Sequence, residues 1–385
     1  MSGMSFSWVE LVGCDTLKTD VLIVGGGPAG LATGIALRRR CLSVVVADLA
    51  RPPIDKACGE GLMPQTVVEL KALGVALGPS QAIPFRGIRF LGEGRVAEGA
   101  FPEAFGLGIR RTTLHRALVE RAAQAGVQTL WGTRVKHIDQ GEVSLDSGKV
   151  LCRWIIGADG QNSLVRKWAG LDRGRPEETR FGFRQHFRVA PWTDFVEVHW
   201  GYNCQIVVTP VNPDEVCLVV TSRTPQLRLK EALTQFPEIT RRLEGRPAVT
   251  KDLGAISALR IIRKVCRGRF ALVGDASGSV DSLTGEGLGL AFQQANALAE
   301  ALANADLTQY EVAHRRINRP PEMMSRLLLA MEKRAWLRRR ALAALAKEPH
   351  LFERLLAVHA GIFSPLTFGF GNFFRFCWRL LASPS

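Results

Sequence analysis

The sequence predicts an α/β fold: a doubly wound, Rossmann-like sheet with helices on both faces, an inserted antiparallel sheet, and a helical C-terminal region. Three observations carry this prediction. A strand, glycine-rich turn, helix and second strand occupy residues 19–48. The hydrophobic period switches to two between Phe181 and Arg223. A buried-strand pattern then returns at residues 269–274 and leads into a strong helix pattern over 287–303.

The elements follow in chain order. The β-branched run at 19–24 reads as a strand, and Gly25-Gly-Gly-Pro-Ala-Gly30 follows it directly. Residues 31–40 have helix-forming composition, and 42–48 read as a second apolar strand. A Pro/Gly-rich loop covers 51–64 and a helix 65–73; residues 86–100 alternate like strands. A helix at 112–125, a strand at 127–135 and a hairpin over 142–158 complete the first half. Runs at 183–189, 196–200, 204–209 and 216–221 form the antiparallel insertion, separated by turn signals such as Asn212-Pro-Asp214. From Tyr310 onward the chain reads as helical, basic and aromatic. The domain division expected is therefore discontinuous. Residues 19–80, 101–175 and 255–305 make the nucleotide-binding domain, 81–100 and 176–254 a substrate-binding sheet domain, and 306–385 a basic helical region.

Composition bounds the function. With 385 residues, 46% of them apolar and 22% charged, the chain is no disordered tail, collagen or small disulfide-stapled module. A net charge of +14 points to an anionic partner. The eight cysteines form no C-x-x-C pair and no metal-ligand spacing with the seven histidines, so no metal is expected. The cysteine pattern reads as reduced thiols, and with no signal-peptide pattern a cytoplasmic protein is expected. Residues 355–374 lack charged side chains, but His359, Pro365 and Asn372 argue against a spanning helix.

Gly25, Gly27 and Gly30 complete G-x-G-x-x-G in its expected strand–turn–helix context, with Pro28 and Ala29 in the turn. The first glycine permits the turn, the second lets a pyrophosphate approach the backbone, and the third lets helix and strand pack closely. Phosphates would rest on the helix N-terminus, where free N–H groups and the macrodipole favour anions. Asp48, at the end of the second strand, suits a ribose hydroxyl.

Two further segments separate the candidate dinucleotides. Gly157-Ala-Asp-Gly-Gln-Asn-Ser-Leu-Val-Arg166 is similar to the Asp-Gly motif of flavoprotein hydroxylases. Residues 269–278, continuing to Thr284-Gly-Glu-Gly287, resemble their Gly-Asp motif. With these motifs the chain, over about 19–302, resembles the FAD-dependent group that contains single-component aromatic hydroxylases (para-hydroxybenzoate hydroxylase-like) and geranylgeranyl reductases. The resemblance implies FAD held by Gly25, Gly27, Pro28, Ala29, Gly30, Asp48, Arg111, Asp159, Gly274, Asp275, Gly285 and Gly287. It places Asp275 at the ribityl chain and the helix from about Gly285 at the flavin, with NADPH or NADH as a transient reductant.

Lys56-Ala-Cys-Gly-Glu-Gly-Leu-Met-Pro64 is similar to the Lys-x-Cys-Gly-x-Gly loop of prenyl reductases, where the cysteine is linked to catalysis. Cys58 is thus the catalytic candidate, its thiol pKa open to lowering by Lys56; the alternative is a small residue in a tight loop. Ser282 stands where the family usually has Pro, and the Trp-x-Trp-x-Ile-Pro signature of flavin halogenases is absent. His186, on the inserted sheet, and Trp200 are the substrate-pocket candidates; a packed side chain is the alternative for the histidine.

The expected function is an FAD-dependent monooxygenase (hydroxylase) acting on an apolar or aromatic small molecule such as a polyketide or quinone precursor. The alternatives are a geranylgeranyl or prenyl-chain reductase and a non-enzymatic, prenyl-binding module like the GDP-dissociation inhibitors. Residues 311–385 hold 13 Lys/Arg against five Glu, interleaved with Trp336, Phe373, Phe374 and Trp378. That mix suits peripheral contact with an anionic membrane, or equally a solvated helical cap. It matches no nucleic-acid module.

Overall fold

The computed structural model describes residues 16–139, 142–173 and 177–363. The first half runs β1 (Thr16–Val24), α1 (Pro28–Arg38), β2 (Val44–Asp48), β3 (Gly61–Leu62), α2 (Pro64–Ala72), β4 (Ile83–Phe85), β5 (Gly87–Gly92), β6 (Arg95–Ala100), β7 (Gly106–Gly108) and α3 (Arg111–Gln124). It continues with β8 (Gln128–Trp131), β9 (Val135–Ile138), β10 (Glu142–Leu145), β11 (Gly148–Gly157) and α4 (Leu164–Trp168). The inserted part comprises β12 (Glu177–Phe187), β13 (Phe195–Trp200), β14 (Cys204–Asn212), β15 (Glu215–Ser222), α5 (Leu229–Leu233), α6 (Pro237–Leu243) and β16 (Leu253–Leu259). The chain then returns through β17 (Cys266–Arg267) and β18 (Phe270–Leu272) to α7 (Gly287–Ala303), α8 (Leu307–Lys333), α9 (Ala335–Lys347) and α10 (Pro349–His359).

The nucleotide-binding sheet has the order β17-β18-β11-β1-β2-β8, with β10 and β9 continuing from β11. β1 lies at its centre, parallel to both β11 and β2. Val21, Leu22 and Ile23 are completely buried, as expected of a strand covered on both faces. α1 begins at Pro28 rather than at residue 31, because proline at the first helical position sacrifices no hydrogen bond.

The second sheet has seven strands, β16-β12-β15-β14-β13-β5-β6. It is mixed rather than purely antiparallel, since β5 and β13 run parallel. A domain boundary at residue 254 would cut β16, which pairs with β12 over Leu253–Leu259. β4, expected in this sheet, instead joins β3 and β7 in a three-stranded sheet. One face of the seven-stranded sheet packs on α5 and α6 through Phe183, Ile206, Leu218, Phe236 and Ile239.

The other face packs on the C-terminal helices: Val196, Val198 and Trp200 share a core with Leu328, Met331, Leu342 and Leu356. The described part of the basic region is therefore a structural wall. Arg338, one of the 13 basic residues of this region, is held by Glu93 and its side chain is 12% exposed. Of the aromatic residues on which membrane contact was expected, Trp336 is exposed, and Phe373, Phe374 and Trp378 lie outside the described residues. Among the described residues, no helix is long and apolar enough to cross a membrane.

Candidate active site

The first wall of the site is the turn after β1. Gly25 adopts φ +111°, and a Cβ there would lie 2.4 Å from the Ala158 carbonyl oxygen. At Gly30 a Cβ would lie 1.8 Å from the Gly25 oxygen, so this glycine serves helix–strand packing and does not line the cavity. At Gly27 a Cβ would meet nothing within 4 Å. Asp48 accepts hydrogen bonds from the Gly26 N–H at 2.6 Å and the Ala50 N–H at 2.7 Å, which fixes the turn and leaves lone pairs for a ligand.

His115, on α3, braces the same turn. Its Nδ1 accepts from the Ile54 N–H at 3.3 Å, so Nε2 carries the hydrogen and donates to the Gly26 oxygen at 2.9 Å. Burial holds its pKa below the usual histidine range. Sequence reasoning missed this residue; the clue was its place one helical turn beyond Arg111.

The second wall follows β18. Gly274, at φ +58°, donates its N–H to Gln294 Oε1 at 2.8 Å, and Gln294 bonds Asn318 at 2.9 Å. His314 Nε2 lies 2.9 Å from Ser277 Oγ and 3.2 Å from Asn318 Nδ2. This buried network aims Asp275 at the cavity, where its carboxylate meets Lys56 Nζ at 3.0 Å. Burial lowers the His314 pKa to about 4, against 6.5 in the unfolded chain. The stabilisation is thus complete above pH 6.5 and lost as pH falls towards 4, because only the unfolded chain takes the proton in that window. The loss should approach about 3 kcal/mol at the lower end. Thermal melting across that window should show it, and His314→Gln should flatten the slope.

The third wall is the loop that carries Cys58. Arg184, fully buried on β12, binds Asp55 through two 2.8 Å bonds and Glu60 through one of 3.0 Å. Glu60, at φ +59°, also accepts from His186 Nε2 at 2.6 Å and from the Arg111 N–H at 3.0 Å. The clamp holds Cys58 half-buried in the cavity wall, its Sγ accepting the Glu60 N–H at 3.4 Å. Lys56, expected to act on this thiol, is engaged by Asp275 instead.

Gly25, Gly27, Pro28, Ala29, Asp48, Arg111, Asp159, Gly274, Asp275, Gly285 and Gly287 all line one cavity of about 760 Å³ with Cys58. The Asp159 carboxylate is turned towards α4, accepting from Ser163 Oγ and from the Leu164 and Val165 N–H groups. The two substrate-pocket expectations need correction. His186 is completely buried between Glu60 and Thr250, because its strand position faces the clamp. Trp200 packs edge-on against Phe90 in the core and does not line the cavity. Glu60, His186 and Cys217 bring three ligand-type atoms within 4.8 Å of one another. Arg184 already neutralises Glu60 there, and burial pushes the Cys217 thiol well above its usual range.

The residues fit FAD. Gly27, Gly160 and Gly287 line the cavity with open space where a side chain would stand. The buried Arg111 Nε, at the same wall, has no partner among the described residues. The N-terminal turns of both α1 and α7 face in, so two helix ends favour anionic groups. Beyond this glycine-lined part the cavity continues as an apolar lobe. Ile88, Phe90, Val196 and Val198 of the mixed sheet face Leu328, Met331, Leu345 and Phe352 of α8–α10.

The sequence profile of the FAD binding domain family matches residues 18–308. The chain belongs to that family. This flavoprotein is an FAD-dependent oxidoreductase of the monooxygenase and reductase kind. It is 32% identical to a menaquinone reductase of Mycobacterium tuberculosis (strain H37Rv), over 76% of this chain and 78% of that one. It is 30% identical to a 3-hydroxybenzoate 6-hydroxylase of Polaromonas naphthalenivorans, over 73% and 78%. A solved flavoprotein/dehydrogenase from Cytophaga hutchinsonii shares the fold, with a TM-score of 0.78, 18% identity, and coverage of 89% and 93%.

Proposed function

We propose that this flavoprotein hydroxylates a ring that carries a long apolar chain, of the polyketide or quinone-precursor class, with NADPH or NADH as transient reductant. The observation that carries the reading is the apolar lobe. Its walls offer aliphatic and aromatic surface from β5, β13 and α8–α10, and it opens into the same cavity as the FAD cradle. Bound FAD supplies the electrons for oxygen insertion or for alkene reduction. The chain's own residues hold the substrate: the lobe takes the hydrocarbon, excludes water, and leaves the ring at the glycine-lined end. Shortening the substrate chain should weaken binding by about 0.8 kcal/mol per CH₂ lost from the lobe, close to fourfold each.

A second reading, reduction of a prenyl double bond, is favoured by Cys58 in the cavity wall and by the mycobacterial relative's name. One experiment separates the two. The enzyme, NADPH and air are offered a long-chain phenol and, separately, a prenylated quinone, and products are read by mass. Hydroxylation adds one oxygen to the phenol, and Cys58→Ser changes its rate by no more than about twofold. Reduction adds two hydrogens to the prenyl chain without oxygen, and Cys58→Ser slows it roughly tenfold or more, as for a lost general acid. Reduction without hydroxylation would overturn the main reading.

A further inference from the structure

Glu286 and His359 form a half-buried acid–base pair beside the cavity that neither reading uses. His359 comes from the last turn of α10, and Glu286 caps the N-terminus of α7. His359 lines the cavity, as do Gly285 and Gly287 on either side of Glu286. His359 Nε2 lies 2.8 Å from the Thr284 carbonyl oxygen, which can only accept, so Nε2 carries a hydrogen. The other ring nitrogen, Nδ1, faces Glu286 Oε2 at 3.4 Å. Oε2 is buried and has no hydrogen-bond partner among the described residues. At 3.4 Å an unprotonated Nδ1 would set its lone pair against a carboxylate oxygen and be repelled, so the pair holds one proton, on the carboxyl or on the imidazole. The pair is neutral in either arrangement and can accept one more proton, becoming a carboxylic acid beside an imidazolium.

We propose that the Glu286–His359 pair takes up this second proton when the bound FAD is reduced. Two electrons and one proton enter the flavin, leaving it one negative charge; a second proton, from water, enters the pair. The resulting cation stands at the first turn of α7, whose macrodipole already favours negative charge in the cavity. Low dielectric strengthens the attraction between pair and flavin. Burial already pushes the Glu286 carboxyl up, with His359 the charged group acting against that shift. From the remaining elements around it, the loop at 51–64 and the turn after β18 present Lys56 and Asp275, which neutralise each other. α2 presents Glu69, which is bonded to Gln65 and Asn296. α1 presents the uncharged Pro28 and Ala29. The inference holds whichever substrate fills the apolar lobe.

Spectroelectrochemical titration of the FAD-loaded full chain at several pH values tests it. For a two-electron couple, each proton taken up shifts the midpoint potential by about 30 mV per tenfold change in proton concentration. The wild type should therefore show about 60 mV per pH unit near neutrality. Glu286→Gln, which keeps the shape, should fall to about half that slope while retaining FAD, and His359→Gln should do the same. Should one variant fail to load FAD, the other carries the comparison. A wild-type slope of about 30 mV, or an unchanged slope in the loaded variants, would overturn the proposal.

Discussion

Gly27→Val is expected to yield a folded, colourless protein. A Cβ at Gly27 meets nothing within 4 Å, so the protein itself can accommodate the side chain. The space it would fill is the open cavity at the N-terminus of α1, where the approach of the FAD pyrophosphate requires bare backbone. Absorbance of the purified variant should show no flavin, while circular dichroism and the melting transition stay near those of the wild type. Gly30→Val makes the control. Its side chain would drive into the Gly25 oxygen, so α1 must separate from β1 and the protein should not fold. Full flavin occupancy in Gly27→Val would overturn the assignment of this turn as the phosphate cradle.

Arg184→Ala should cost about 3–5 kcal/mol of stability, the usual consequence of removing one partner from a buried ion pair. Glu60 is completely buried, and without Arg184 its carboxylate loses its cationic partner while keeping the His186 and Arg111 N–H contacts. Arg184 is itself held charged, its pKa raised by Asp55 and Glu60 in spite of burial. The loop at 51–64 would lose its Arg184 ties to β12 and keep the His186 one, so Cys58 would be held less firmly. Chemical denaturation should show the loss directly, and thiol-reactive probes should label Cys58 faster in the variant. A change of under about 1 kcal/mol would place the clamp among ion pairs that contribute little.

Part of this site was legible in the chain because its determinants are local. Gly25, Gly27, Gly30 and Asp48 lie within a single strand–turn–helix–strand unit, where spacing alone decides geometry. Gly287–Ala303 could be bounded to the residue because its apolar run begins immediately after a glycine-rich turn. The inserted sheet declared itself by period, yet its parallel β5–β13 pairing did not, since alternation is the same in both pairings.

The clamp was not legible. Arg184 reads as an ordinary strand residue, His186 as a substrate-pocket candidate, and Glu60 as the variable position of a loop motif; they meet across more than a hundred residues of sequence. For the same reason Lys56 was matched with its sequence neighbour Cys58, while Asp275, 219 residues away, takes it.

The sequence by itself determined the dinucleotide-binding turn and the two large sheets, because a backbone turn and a hydrophobic period are properties of neighbouring residues; FAD followed from the resemblance of its further motifs to a flavoprotein family. Only the tertiary structure decided where the basic, aromatic helices go. Their apolar faces suit a membrane or a core equally well, and the choice depends on what stands opposite. Here Val196, Val198 and Trp200 stand opposite, so burying Leu328, Met331 and Leu342 against them removes apolar surface from water on both sides at once. That packing makes the region the wall of the apolar lobe, and it carries His359 from α10 to Glu286 at the start of α7.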